Sequence, residues 1–215
     1  KFKEMKKQLR LAEKYIFLEY FIVEEGIMWN EILDILIDKV SKGVEVRFMY
    51  DGMCSMVQLP YHYPKTMKKY GIKCKMFSPI KPVLSSHQNN RDHRKICVID
   101  GKTGFTGGIN LADEYINQKE RFGHWKDTGV RIDGAGAWGF ASQFIQMWKM
   151  IGRSLPNEDD YYRPRVEIEG TGWCQPFTDG PLNNPDNPIE DTYLQLIASA
   201  QKMLYITTPY YAVEE

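Results

Sequence analysis

His93, Lys95 and Asp100 share one short stretch, His93-Arg94-Lys95-Ile96-Cys97-Val98-Ile99-Asp100-Gly101. Side chains alternate between the two faces of an extended chain, so His93 and Lys95 point toward one site while Ile96 and Val98 anchor the strand in a core. An imidazole can attack phosphorus or carry a proton. A fixed ammonium beside it stabilises anionic oxygens. Asp100-Gly101 predicts a tight turn into a second short strand, which ends in Gly107-Gly108-Ile109-Asn110. Two glycines let the backbone come close to a ligand, its N–H groups can face anionic oxygens, and Asn110 follows within reach. The chemistry this set suits is a phosphate site with an imidazole placed to act as nucleophile or proton carrier. Lys95, Asn110 and the backbone around Gly107 and Gly108 would hold the phosphoryl oxygens, and His93 would react.

The elements around this hairpin must position it. The run 15–23 is densely apolar with one acidic break, Glu19, and reads as a central buried strand. Ile32, Leu33, Leu36, Ile37 and Val40 recur at helical spacing, Gly43 stops that helix, and 44–50 is the next strand. Strand, helix, strand implies a right-handed parallel crossover and hence an α/β fold. A short helix at 63–70, a strand at 72–77, a strand around Val130 and Ile132, and an amphipathic helix at 137–150 follow from the same patterns. The basic stretch 2–13 reads as a surface helix packed on the sheet, in preference to a membrane-surface helix. The loop 78–92, which contains His87, leads directly into the His93 strand and could shape a substrate entrance. Acids at 158–160 between prolines mark a linker, a helix is expected over 189–200 and a strand over 203–207.

Lysine plus arginine and aspartate plus glutamate number 28 each in 215 residues, so the net charge is zero. No long-range field favours a nucleic-acid partner, and none is expected. Cys54, Cys74, Cys97 and Cys174 are scattered, without the spacing of a zinc site or a disulfide framework, which suits a reducing compartment. No apolar run is long enough to span a bilayer. The chain begins at Lys1 and ends at Glu215, and both ends read as cuts from a longer protein.

The words Asn90-Arg91-Asp92-His93-Arg94-Lys95-Ile96, Gly107-Gly108-Ile109-Asn110-Leu111-Ala112-Asp113-Glu114-Tyr115, Trp125-Lys126-Asp127-Thr128 and Thr208-Pro209-Tyr210-Tyr211 resemble the phospholipase D superfamily, and within it the bacterial cardiolipin synthases. The resemblance implies an α-β-α sandwich, a mixed and largely parallel sheet flanked by helices. It implies a first catalytic repeat at 1–155, a linker at 156–165, and the beginning of a truncated second repeat at 166–215. An echo between Ala12-Glu13-Lys14-Tyr15-Ile16-Phe17-Leu18 and Ala200-Gln201-Lys202-Met203-Leu204-Tyr205-Ile206 fits two repeats.

By the same resemblance His93, Lys95 and Asp100 form the catalytic signature. Asp100, at the far end of the strand, is expected to hold the turn and neighbouring groups and not to touch phosphate. Asp127 falls where the family keeps an acid that orients the catalytic imidazole; from the residues alone it reads equally well as a surface aspartate before a strand. The implied reaction joins two phosphatidylglycerol molecules into cardiolipin through a phosphohistidine, at a bacterial cell membrane, with the catalytic part on the cytoplasmic side. It uses neither metal nor cofactor, because Lys95 and its downstream counterpart supply the positive charge. The second histidine would come from the other repeat or from a homodimer partner, and missing segments would make the membrane contact. Alternatives are a phosphodiesterase or nuclease of the same superfamily, or an inactive half-site module.

Overall fold

Six consecutive buried residues, Tyr15–Tyr20, make strand β1 the centre of the sheet. The computed structural model describes residues 1–54, 57–80, 91–121, 123–152, 161–164, 172–179 and 187–207. Its first compact unit runs from Lys1 to Pro176. The further strands are β2 (Glu45–Asp51), β3 (Lys73–Phe77), β4 (Lys95–Ile99), β5 (Thr103–Gly107) and β6 (Gly129–Asp133), in the spatial order β3-β2-β1-β4-β5-β6. The β1–β2 and β2–β3 pairs are parallel, as crossovers through helices α2 (Ile27–Ser41) and α3 (Tyr63–Lys69) require. The pairs β1–β4, β4–β5 and β5–β6 are antiparallel.

Alternation along the strands separates two cores. Ile16, Leu18, Tyr20, Phe48 and Tyr50 pack with Met5 and Leu9 of helix α1 (Phe2–Arg10) and with Trp29, Ile32 and Leu36 of α2. Tyr15, Phe17, Met49, Ile96 and Val98 pack on the other face with Phe140, Phe144 and Trp148 of helix α4 (Ala137–Met150). The result is the α-β-α sandwich with a mixed sheet flanked by helices.

The first unit continues past 155. Tyr162, within the stretch expected to be a linker, is 4% exposed, and its ring stands 5.0 Å from Tyr15 and 5.1 Å from Phe17. Its hydroxyl donates to Glu45 and accepts from Arg47. An aromatic residue with satisfied polar partners outweighs the polar composition around it. The acidic run 158–160 and the expected extended segment 166–168 lie outside the described residues. In the second unit, Phe177–Glu215, a helix spans Pro188–Ser199. Residues 203–207 form no strand: a strand exists only with a hydrogen-bonded neighbour, and no described residue provides one there.

Asp100 and Gly101 both take positive φ, 54° and 66°, in the turn joining β4 to β5. A Cβ on Gly101 would stand 2.5 Å from the Tyr15 hydroxyl. The Asp100 carboxylate accepts from the backbone N–H groups of Glu13, Lys14 and Tyr15 at 2.9, 2.8 and 2.8 Å, and so ties the turn to the start of β1. Asp100→Ala leaves those donors without their acceptor. Hydrogen bonds to charged groups contribute about 1.5–3 kcal/mol each, and losses overlap, so a destabilisation of about 3 kcal/mol is expected. A lower urea midpoint checks it.

Candidate active site

The antiparallel register pairs Cys97 with Phe105, and continuing it places Gly107 across from Lys95. His93, Lys95 and the glycine loop therefore share one end of the hairpin. Asp100 lies at the other end, seven extended residues or about 23 Å along the chain from His93.

Lys95 is 6% exposed, its ammonium donates to the His93 carbonyl oxygen, and it stands 5.4 Å over the Phe21 ring. Burial lowers its pKa to about 8, against the opposing pull of Asp92, Asp127 and Cys54. His93 is exposed, with its ring 4.8 Å from that of Phe21. Its pKa is lowered, first by partial desolvation and then by the Lys95 charge, while Asp92 and Asp51 pull the other way. The imidazole is thus held toward its neutral form, with a lone pair available at neutral pH. Phe21, whose ring lies near both side chains, stood out in the sequence only as part of an apolar run.

The glycine loop is fastened to the segment after β1. Leu111 N–H donates to the Ile22 carbonyl at 3.1 Å, and Glu24 N–H donates to the Leu111 carbonyl at 3.0 Å. Asn110 completes the attachment: its Oδ1 accepts from Ile22 N–H at 3.0 Å, and its Nδ2 donates to the Tyr115 hydroxyl at 2.8 Å. Among the described residues that leaves one amide hydrogen of Asn110 without an acceptor. Asp113 then caps α2, accepting from Ile27 and Met28 N–H at 3.0 and 2.8 Å. At Gly107, with φ of 143°, a Cβ would stand 2.5 Å from the Thr128 carbonyl oxygen. Only glycine fits that approach of β5 to β6.

Asp127 lies against the second glycine. A Cβ on Gly108 would be 2.5 Å from Asp127 Oδ2. That oxygen accepts from the Trp125 indole N–H at 3.3 Å, and the segment is clipped down by Asn117, which bonds the Trp125 backbone N–H and carbonyl at 2.6 and 3.0 Å. The carboxylate acts on Lys95 and makes no hydrogen bond to His93 among the described residues. His93, Lys95, Gly107, Gly108, Asn110 and Asp127 are thus brought together, and Asp100 is not among them. His87 lies outside the described residues.

A polar layer beneath the site has no counterpart in the sequence reading. Asp51, fully buried at the end of β2, accepts from Asp92 N–H at 3.0 Å and from Arg91 at 3.1 Å. It fixes the chain as it enters β4. Arg94, on the face opposite His93 and Lys95, reaches Glu19 at 3.4 Å and Asp92 at 3.8 Å.

This geometry meets its relatives at the level of the family. The family model "Cardiolipin synthase, PLD-like domain" matches residues 5–148. The chain belongs to that family. An uncharacterized protein of Streptococcus mutans is 52% identical over 215 residues, covering 98% of this chain and 45% of that protein. The probable cardiolipin synthase YwiE of Bacillus subtilis is 36% identical over 215 residues, covering 100% of this chain and 42% of that protein. The chain therefore spans less than half the length of these relatives. Among solved structures, Nuc of Salmonella typhimurium, a phospholipase D family member, superposes with a TM-score of 0.53 over 71% of this chain and 89% of that one, at 15% identity. That likeness establishes the fold alone. Among the described residues no helix is long and apolar enough to cross a membrane.

Proposed function

We propose that this chain supplies one half of the active site of a phosphatidyltransferase that joins two phosphatidylglycerol molecules into cardiolipin. The observation that carries the reading is an exposed imidazole, held toward its neutral form, beside the buried ammonium of Lys95. In the proposed reaction a ring nitrogen of His93 attacks the phosphorus of one phosphatidylglycerol. A P–N bond forms, the P–O bond to the terminal glycerol breaks, and the glycerol oxygen takes a proton from a second histidine. The hydroxyl of another phosphatidylglycerol then gives its proton to that histidine and attacks the same phosphorus. The P–N bond breaks and His93 is restored. Lys95, the free amide hydrogen of Asn110 and the backbone N–H groups at Gly107 and Gly108 bind the phosphoryl oxygens, and their attraction grows as charge develops. Asp127, through Lys95 and the glycine loop, keeps that oxygen site in place and orients the imidazole once substrate is bound.

The second histidine would come from the rest of a longer chain or from a second copy of this one, at a bacterial membrane and on its cytoplasmic side. The family model and the relative named as a probable cardiolipin synthase support the lipid substrate. The full-length protein, mixed with phosphatidylglycerol vesicles, is expected to release one glycerol per cardiolipin formed. Phosphatidic acid without cardiolipin would make water the acceptor, and cleavage of DNA with no lipid turnover would overturn the reading. The 215-residue chain alone is expected to be weakly active or inactive unless it dimerises. Full activity from a species that light scattering shows to be strictly monomeric would sink that expectation.

A further inference from the structure

Glu19 sits in the middle of the sheet at 0% exposure, on the face that carries Tyr15, Phe17, Met49, Ile96 and Val98. An ionised carboxylate there is costly unless fully partnered. Its partners are few. Oε1 accepts from Arg94 at a long 3.4 Å, and Oε2 has no donor among the described residues. Asp92, 4% exposed, is in the same position. Its Oδ1 accepts from the backbone N–H of Arg94 at 3.3 Å, and its Oδ2 has no donor among the described residues. The Arg94 guanidinium reaches both carboxyl groups, Glu19 Oε1 at 3.4 Å and Asp92 Oδ1 at 3.8 Å, which places them side by side. Two carboxylates cannot hydrogen-bond one another, because each is acceptor only. A single proton turns one into a donor and satisfies the contact.

We propose that Glu19 and Asp92 share one proton at neutral pH, and that Glu19 is thereby a positioning residue for His93 and Lys95. Asp92 is the residue before His93, and its backbone N–H is already held by Asp51. A hydrogen bond from the protonated Glu19 fixes its side chain as well, so the strand that projects His93 and Lys95 is held at its entry from both sides. The shared proton also sets the charge beneath the site. Arg94 faces the pair from the segment entering β4, Arg91 and Asp51 stand at its end, and His93 and Lys95 point to the opposite face. Arg47 and Lys75 lie further along the sheet, engaged with Glu45 and with the Trp148 carbonyl. With one proton the pair carries a single negative charge. Burial and the Asp92 charge raise the affinity of Glu19 for that proton, with Arg94 opposing.

The inference rests on the proposed reaction only for what the pair does in turnover, so the deciding tests use substrate-free protein. The folded pair keeps a proton that the unfolded chain releases above the ordinary carboxyl value of 4.5. Its stabilising contribution is therefore complete below that value and is lost as pH rises toward the folded value. Glu19→Gln donates the same hydrogen bond with no proton to lose. The ratio of wild-type to Glu19→Gln unfolding constants should therefore rise about tenfold per pH unit between about pH 5 and 7. A ratio that stays constant with pH overturns the proposal. Should the variant fail to fold, the infrared spectrum of the wild-type chain decides. A carbonyl band of a protonated carboxyl group at neutral pH supports the shared proton, and its absence overturns it. In the full-length protein Glu19→Leu should lower kcat at least about tenfold, with Glu19→Gln restoring most of the loss. Equal losses in both variants would overturn the positioning role. Absence of lipid turnover in the wild type would instead count against the reaction, leaving the unfolding and infrared results to stand.

Discussion

His93→Ala in the full-length protein is expected to lower phosphatidylglycerol turnover at least about a thousandfold, the scale of removing a group that bonds or transfers a proton at the reacting centre. The fold should be untouched, because the His93 side chain is exposed and its one ring contact among the described residues is with Phe21. Intact mass separates the two roles open to an imidazole. Wild-type protein quenched after mixing with phosphatidylglycerol should carry an added phosphatidyl group, and His93→Ala should not. An adduct that persists or accumulates in the variant would move the attack to the second histidine and make His93 the proton carrier. The pH dependence adds a further check. Partial desolvation and the Lys95 charge lower the His93 pKa, so the nucleophilic form should persist to a lower pH than for a solvated histidine. The acidic limb of the rate profile should lie correspondingly low.

The hairpin that carries the site was legible because each of its parts has a local cause. Asp100-Gly101 demands a turn with positive φ, the apolar alternation demands a buried strand, and paired glycines mark a close approach. Helices α2 and α4 were legible from their apolar spacing, since each faces one core only. Tertiary partners were harder to see. Glu19 showed as an acidic break in an otherwise apolar strand, which signals that a partner must exist but not which one. Asp92 and Arg94 carried no role of their own in the motif, although alternation sends Arg94 to the face opposite His93 and Lys95, toward Glu19. The Asp113 cap on α2 joins residues 85 and 86 positions apart, and no local pattern encodes such a pairing. Tyr162 was hidden by its polar and proline-rich surroundings.

Lys95→Met should separate function from stability. Turnover is expected to fall at least about a hundredfold, the scale of losing one preorganised charge at the phosphoryl oxygens. Stability should hold or rise. A lysine that is 6% exposed bears a desolvation penalty that an unbranched apolar side chain of similar length does not. The wild type should show the same opposition as a function of pH. The Lys95 pKa, lowered to about 8 from 10.5, means that the charged form disappears as pH rises through about 8, and turnover should fall with it. Between about 8 and 10.5 the unfolded chain binds the proton that the folded chain has released, so this lysine makes folding stability rise with pH over that interval. Lys95→Met should lack that rise. Denaturant unfolding from pH 7 to 10, set beside the rate profile, measures both effects. Retained turnover in Lys95→Met, or activity and stability declining together through pH 8 to 9, would show that the buried ammonium is not the phosphoryl-oxygen ligand.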